Sequence, residues 1–304
     1  MTSNTPFRSG FACFVGRPNA GKSTLMNALV GQKVAIMSSR PQTTRRAIRG
    51  IVHREDAQII VVDTPGLHRP RTLLGERLND LVRETFNQVD VIGMCLPADE
   101  KIGPGDKWIA RELAGARAPK IAIVTKVDKV SRTEVGDHLI AVSELADWSD
   151  IVPVSSVKDI QIDVLTDVLT KYLPEGPALY PEGELTDEPE QIMVAELVRE
   201  AALEGVHHEL PHSIAVQVEE MVERPQDADD PRLPLLEVRV QLFVERDSQK
   251  GIILGHKGER LRDVGTKARK EIEGLLGRRI FLDLHVKVAK EWQRDPKQLG
   301  RLGF

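Results

Sequence analysis

Cysteine is scarce in this 304-residue chain: only Cys13 and Cys95 are present. Both sit inside apolar, strand-like stretches. They read as buried thiols of a reducing cytoplasm and argue against a disulfide framework or a thiolate metal site. Aromatic residues make up only 4% of the chain, which argues against base recognition built on many exposed aromatic platforms. Long apolar runs are missing as well. A helix across a bilayer needs about 20 apolar residues, and stretches such as Ile59–Val62 are far shorter. The N-terminal MTSNTPFRSG lacks the basic-then-apolar layout of a signal peptide, so none is expected.

What is present suits a soluble globular protein of about two domains, with 41% hydrophobic and 29% charged residues. The net charge of -4 conceals an asymmetry. Between Glu182 and Glu237 there are 16 acidic and 3 basic residues, whereas Glu245–Phe304 carries 15 basic and 9 acidic. The C-terminal segment is therefore the part of the chain suited to a polyanion, although a solvated helix face has the same composition.

The first half alternates short apolar runs with amphipathic helical patterns. FACFVG, IIVVDTPG, VDVIGMCLP, KIAIVTKVD and DIVPVSS read as strands. That pattern predicts an α/β P-loop domain, doubly wound around a mostly parallel sheet. Ligands of such sheets lie beyond the carboxyl ends of the strands, and the informative residues fall there. Gly16-Arg17-Pro18-Asn19-Ala20-Gly21-Lys22-Ser23 follows the first strand and opens a helical run from Thr24. It fits G-x-x-x-x-G-K-[ST] in the strand–loop–helix context that this motif requires. Backbone N–H groups between Gly16 and Thr24, Pro18 having none, would close around phosphate oxygens, with the helix N-terminus adding positive potential. Lys22 is expected on the β- and γ-phosphates and the Ser23 hydroxyl on Mg2+.

Asp63-Thr64-Pro65-Gly66 ends the run IIVV. A carboxylate ending a buried strand is costly without a partner. Mg2+, held directly or through water, would supply one. The Gly66 N–H would contact the γ-phosphate, which makes this phosphate-facing turn a sensor of hydrolysis. Thr125-Lys126-Val127-Asp128 ends the strand KIAIV, and Val154-Ser155-Ser156-Val157 follows another. A carboxylate at Asp128 that accepts from guanine N1–H and its exocyclic amine rejects adenine. Lys126 would lay its stem along the base, and the backbone of Ser155, Ser156 and Val157 would face O6.

These three sites, in this order, resemble those of the translation-factor-related GTPases. The last motif there is NKxD. Thr125 stands where asparagine is expected, which removes one amide contact and leaves Asp128 as the main specificity element. The segment SSRPQTTRRAIRG, Ser38–Gly50, is similar to the switch segment of the TrmE-Era-EngA-like family, in which the second threonine of QTTR completes the Mg2+ shell. The resemblance implies that role for Thr44, with Thr43 as the alternative. It gives a catalytic set of Lys22, Thr44 and Gly66 and a metal set of Ser23, Thr44 and Asp63. Many small GTPases carry a glutamine just after DxxG; here the residue is Leu67, which cannot orient water. In some relatives an asparagine at the position of Asn19 holds potassium. The resemblance thus implies K+ beside Mg2+, and slow intrinsic hydrolysis.

Lys171–Pro189, KYLPEGPALYPEGELTDEP, is dense in proline, glycine and acid, which marks a linker. The expected division is a nucleotide domain over 1–174, a linker over 175–190 and a second domain over 191–304. In the last, an amphipathic helical run, EQIMVAELVREAALEG, precedes two strand-like runs flanking the acidic RPQDADDPR. A glycine-rich turn, the helical ERLRDVGTKARKEIEGLL and the strand-like RRIFLDLHVKV follow. The order α-β-β-α-α-β, with GxxG between paired helices, resembles an α+β KH module of the prokaryotic (type II) arrangement. The spacing alone says little, because Gly274–Gly277 and Gly300–Gly303 share it. What distinguishes Gly255-His256-Lys257-Gly258 is Lys250, Gly251, Ile252 and Ile253 before it and Arg260 after it. In KH modules this loop clamps the backbone of single-stranded nucleic acid beside an apolar groove, so these nine residues are the expected RNA contacts. His207–His212, HHELPH, has no recognised ligand spacing, and no metal is expected there.

The whole chain, from FACFVGRPNAGKS to the tail VKVAKEWQRDPKQLGRLGF, resembles the Era family of bacterial ribosome-assembly GTPases. That resemblance implies a monomeric GTP/GDP switch that binds the 3′ end of small-subunit ribosomal RNA and acts in assembly of the small ribosomal subunit. It also implies partial peripheral association with the inner face of the membrane. RNA would be held in the GTP state and released after hydrolysis. Two other readings stand beside it: a P-loop ATPase in which Asp128 is incidental, and an RNA-binding scaffold with a degenerate nucleotide site. The intact GKS and DTPG weigh against the second.

Overall fold

The computed structural model describes residues 6–37, 44–68, 70, 72–206, 210–224 and 235–304. Compact packing divides the chain near Asp187 into two units. The first contains β1 (Arg8–Val15), α1 (Lys22–Val30), β2 (Ile48–His53), β3 (Ala57–Asp63), α2 (Leu73–Phe86), β4 (Val91–Pro97), α3 (Pro104–Leu113), β5 (Lys120–Thr125), α4 (Arg132–Ser143), β6 (Asp150–Pro153) and α5 (Ile162–Lys171). Its strands form one sheet in the order β2-β3-β1-β4-β5-β6. All neighbours are parallel except β2, which runs antiparallel to β3. This is the doubly wound sheet expected from the alternating pattern. Every residue of β3 and β4 is buried, because helices cover both faces and leave no polar side to the strand.

The strand β2 is the departure from expectation. IRGIVH continues a basic segment and carries no alternation of its own, yet Ile48, Ile51 and Val52 are buried against β3 and α1. Local termini follow sequence rules. Gly31 closes α1 in a left-handed conformation, and Ser131 and Glu134 cap α4 by exchanging hydrogen bonds of 3.3 and 2.8 Å. Cys13 and Cys95 are fully buried in different clusters of the core, so no disulfide joins them. Burial pushes the Cys95 thiol up to about 12.

Residues 175–187, expected as linker, are laid against the first unit. The Gln58 side chain, 1% exposed, accepts the N–H groups of Leu179 and Tyr180 at 2.6 and 2.9 Å and donates to the Tyr180 carbonyl at 2.9 Å. Ile51 N–H donates to the Leu185 carbonyl at 2.9 Å, and Arg49 pairs with Asp187 at 2.8 Å.

The second unit comprises α6 (Glu190–Leu203), α7 (Leu210–Ser213), β7 (Ala215–Glu223), β8 (Leu236–Val244), α8 (Asp247–Leu254), α9 (Glu259–Leu276), β9 (Ile280–Val288) and α10 (Pro296–Arg301). Its sheet order is β7-β8-β9, with β7 antiparallel and β9 parallel to β8. That is the expected α-β-β-α-α-β order with two short helices added. His207 and His208, Thr43 and most of the acidic loop lie outside the described residues. Among the described residues no helix is long and apolar enough to cross a membrane. The helix α7 has a purpose in the packing: Trp292, fully buried, donates its indole N–H to the Ser213 carbonyl at 3.0 Å. The Trp292 ring stacks on Phe304, with centroids 5.6 Å apart. Deleting Phe304 removes this ring pair and bares part of Trp292. We expect the second unit to lose about 1–3 kcal/mol, read by denaturant unfolding, while nucleotide binding is unchanged.

Candidate functional site

The end of β1 feeds the loop Gly16–Gly21, and α1 begins at Lys22. Lys22 is 6% exposed, and its ammonium donates to the carbonyls of Arg17 at 3.0 Å and Gly16 at 3.3 Å. Burial lowers its pKa, against the opposing charge of Asp63. Asp63, at the end of β3, has no exposed surface. Its Oδ2 accepts from the Ser23 hydroxyl at 2.6 Å and the Thr44 hydroxyl at 3.1 Å, and those two hydroxyls are 3.1 Å apart. The other carboxylate oxygen, Oδ1, is buried without a hydrogen-bond partner among the described residues. Burial raises the Asp63 pKa, while Lys22 and the two hydroxyls pull it down. One carboxylate and two hydroxyls converge, and an orphaned carboxylate oxygen is left over. A hard divalent cation such as Mg2+ fits this donor set.

The rest of the DTPG turn is tied to the phosphate loop. Thr64 donates to the Phe14 carbonyl at 2.6 Å, and Pro65 is buried beside it. Gly66 lies against Pro18, where a Cβ would stand 2.9 Å from the proline nitrogen, so no larger residue fits without moving the loop. Leu67 N–H reaches the Gly16 carbonyl at 3.3 Å, and its side chain, 2% exposed, belongs to the core. It has no means of orienting water.

The residues expected to face the base lie near one another, with one addition. Thr125, 2% exposed, donates its hydroxyl to the Ala20 carbonyl at 2.7 Å, which braces the phosphate loop from the neighbouring strand. Buried Ser155 donates to the exposed Asp128 carboxylate at 2.6 Å and accepts the Lys158 N–H at 3.1 Å, thereby orienting it. Ser156 is half-buried and Val157 exposed beside them. Lys126, in a left-handed conformation, pairs with Asp99 at 3.4 Å and Glu100 at 3.8 Å. Asn19 is exposed on the phosphate loop with φ 64°, and Thr24 follows in the first turn of α1.

The Arg17 side chain is held by Asp106 at 2.7 Å and Glu100 at 3.0 Å, which leaves open the backbone role expected of it. Two expectations are corrected. Ile253 is fully buried, so its side chain is core. Arg260 donates to the carbonyls of Glu204 at 2.7 Å and Ala202 at 3.4 Å, at the C-terminal end of α6, where a cation offsets the helix dipole. His256 and Lys257 are exposed in a tight turn between α8 and α9, with Gly251 and Ile252 exposed and Lys250 half-buried on α8. Gly255, at φ 72° and ψ -177°, holds a conformation that only glycine adopts readily, and Gly258 is left-handed at the start of α9.

Sequence reasoning expected an apolar groove beside this loop but named none of the α9 and β9 residues that line the one found there. It has a volume of about 340 Å³ and is lined by Leu261, Arg262, Gly265 and Arg269 of α9 with Phe281, Leu282 and Leu284 of β9. The signal was available: positions 262, 265 and 269 share one helix face at i, i+3, i+7.

The sequence matches the family described as 50S ribosome-binding GTPase over residues 11–126 and the KH domain over residues 209–293. It is 67% identical to the GTPase Era of Streptomyces coelicolor, over 99% of this chain and 96% of that protein. The GTPase Era of Mycolicibacterium smegmatis is 66% identical, over 99% of this chain and 100% of its own. The chain belongs to the Era GTPase family. As an Era GTPase it is a GTP-hydrolysing enzyme with a C-terminal KH domain. A solved Era, in complex with MgGDPNP and nucleotides 1506-1542 of 16S ribosomal RNA, matches with a TM-score of 0.92 at 36% identity. The match covers 98% of this chain and 99% of that one. An Aquifex aeolicus Era variant bound to GDP and aluminium fluoride matches equally well, at TM-score 0.92 and 36% identity.

Thr125 takes the place of the expected asparagine in this Era sequence, and its bond to Ala20 makes the residue testable. Thr125→Val keeps the shape and leaves the buried Ala20 carbonyl unpaired, a cost of about 1–3 kcal/mol. We expect about tenfold weaker GDP binding in a fluorescent-nucleotide titration, with the fold intact by circular dichroism.

Proposed function

We propose that this chain is a GTP-driven switch that binds the 3′ end of small-subunit ribosomal RNA through its KH unit and acts in small-subunit assembly. The observation that carries the RNA half is the exposed His256–Lys257 turn beside the α9–β9 groove. The solved Era that holds a 16S ribosomal RNA fragment supports the same reading. Resemblance in the KH family makes the turn the clamp for a nucleic-acid backbone and the groove the bed for its bases.

In the nucleotide unit, Ser23, Asp63 and Thr44 would hold Mg2+. When bound, that ion would neutralise charge developing on the phosphates of GTP. Lys22 leaves the Gly16 and Arg17 carbonyls for the β- and γ-phosphates, and the Gly66 N–H meets the γ-phosphate. Asp128, oriented by Ser155, selects guanine, and Thr125 keeps Ala20 and its loop in register. The Thr44 segment and the Gly66 turn both depend on the γ-phosphate side, so its loss on hydrolysis releases them together. We assign the nucleotide domain to residues up to about Asp187, since 175–187 are bonded to it, and the KH domain to the residues beyond.

Asn19, exposed on the phosphate loop, is our candidate for a K+ ligand. Turnover should be several-fold faster in potassium than in sodium buffer, and Asn19→Ala should remove the difference; equal rates in the two salts would dismiss the idea. The two-loop division is tested in the full chain. Lys22→Ala should abolish GTP binding and leave affinity for a 3′-terminal small-subunit RNA fragment in the absence of nucleotide unchanged. His256→Asp with Lys257→Glu should weaken RNA binding about tenfold or more without altering GTP affinity. An ATP competitor should fail to displace GTP.

A further inference from the structure

We propose that Asp106 and Glu100 are positioning residues for the nucleotide site: both hold Arg17 of the phosphate loop, and Glu100 also reaches Lys126 of the base-recognition turn. This rests on the reading of that site given above. Asp106 stands in the first turn of α3 and is 1% exposed. Its Oδ2 accepts the Gly103 N–H at 2.9 Å, which caps the helix, and its Oδ1 accepts from Arg17 Nε at 2.7 Å. One buried carboxylate thus serves two masters. Glu100 sits 3.0 Å from Arg17 Nη1 with one oxygen and 3.8 Å from Lys126 Nζ with the other. Asp99 adds contacts of 3.4 Å to Lys126 and 3.2 Å to Lys129.

The segment between β4 and α3 therefore grips the phosphate loop and the base-recognition turn together. It is itself tied to the latter by the bond from Ala98 N–H to the Thr125 carbonyl at 2.8 Å. Arg17 matters because its own carbonyl receives the Lys22 ammonium at 3.0 Å. Wherever the Arg17 guanidinium is anchored, the carbonyl and the lysine follow. A charge-assisted anchor of this kind is strong. Removing one partner of a pair with a buried member leaves the other charge stranded. A loop set in place before nucleotide arrives loses less conformational freedom on binding. The consequence is slow nucleotide release, with little effect on the chemical step.

The test uses the full chain, with fluorescent GDP dissociation, steady-state GTP hydrolysis and thermal unfolding without nucleotide as readouts. Asp106→Asn keeps an acceptor for the Gly103 N–H and drops the charge. GDP should leave about tenfold faster and KM for GTP should rise alike, with kcat within about twofold of wild type. Arg17→Met should behave the same way, and the double variant should add nothing further. Asp106→Glu should recover part of the loss. Glu100→Gln, at a partly exposed site, should speed release about threefold. It decides the matter if Asp106→Asn fails to fold. A lowered melting temperature with wild-type release and KM would mean that Asp106 only caps α3. Additive single effects would mean that it does not act through Arg17. Either result overturns the proposal. Wild-type protein that binds no GDP would sink the nucleotide-site reading itself, and this proposal with it; normal wild-type binding with unchanged variants sinks the proposal alone.

Discussion

A carboxylate with no exposed surface, Asp63 at the end of β3, is the constraint around which the nucleotide unit is arranged. Burying an ion costs several kcal/mol after relaxation unless partners surround it. The sheet supplies them by register. Asp63 pairs with Phe14 of β1 on one side and Ile48 of β2 on the other. The strand β1 then runs out into the phosphate loop, which brings Ser23 and Lys22 to the carboxylate. On the other side, the segment that enters β2 carries Thr44 to the same oxygen. The order β2-β3-β1 is therefore the device that assembles a hydroxyl, a hydroxyl and a carboxylate from three distant stretches of chain. The remaining polar need of Asp63, its orphaned Oδ1, is what suits the cluster to the cation proposed for it and sets it apart from a hydrogen-bonded corner.

The chain's two glycine-rich loops hold their cations in opposite ways. In the first, the cation is buried: Lys22 is 6% exposed and satisfied by loop carbonyls, and the loop is braced by Thr125 and by the Leu67 N–H. Such a loop suits one compact ligand of fixed geometry that can replace those carbonyls. In the second, His256 and Lys257 stand in solvent and only the flanks are anchored, by buried Ile253 on one side and by Arg260 on the end of α6 on the other. Charges in water interact weakly and are screened beyond about 8 Å at physiological salt. They suit a polymer that presents many phosphates.

Motifs with a strand before them and a helix after them were legible, because backbone position and chemistry coincide there. The phosphate loop, Asp63, Thr125, Asp128 and Ser155 fall where periodicity and spacing led, and Thr44, which only the family resemblance singled out, meets Asp63. Side chains that could point either way were not legible. Arg17 and Arg260 are both basic residues beside a glycine-rich loop, and both turn inward to partners 89 and 56 residues away. Ile252 and Ile253 are adjacent and chemically identical, and helix rotation alone leaves one exposed and buries the other. The strand β2 escaped notice because its two faces are decided by neighbours, not by alternation. The same holds for α7, whose four residues are fixed by a tryptophan 79 residues further on.

The proline- and glycine-rich segment after α5 shows how composition can be read correctly and still mislead. Such a stretch forms no helix or strand of its own, which is why it reads as a linker. It has carbonyls, however, and β2 is an edge strand whose outward N–H groups need acceptors. The Leu185 carbonyl takes the Ile51 N–H, and the Glu184 carbonyl meets His53 at 2.7 Å. Thr186 and Asp187 bond to the backbone and side chain of Arg49 at 2.7 and 2.8 Å. The strand that leads from Thr44 into the sheet is thus bonded along both edges, to β3 within and to the connecting segment without. Each such bond is worth about 1 kcal/mol net. Movement of the Thr44 segment that propagated into β2 would have to break bonds on both edges at once. Movement that stops at Ile48 would break none of them, so the first residue of β2 is the natural limit of the proposed switch.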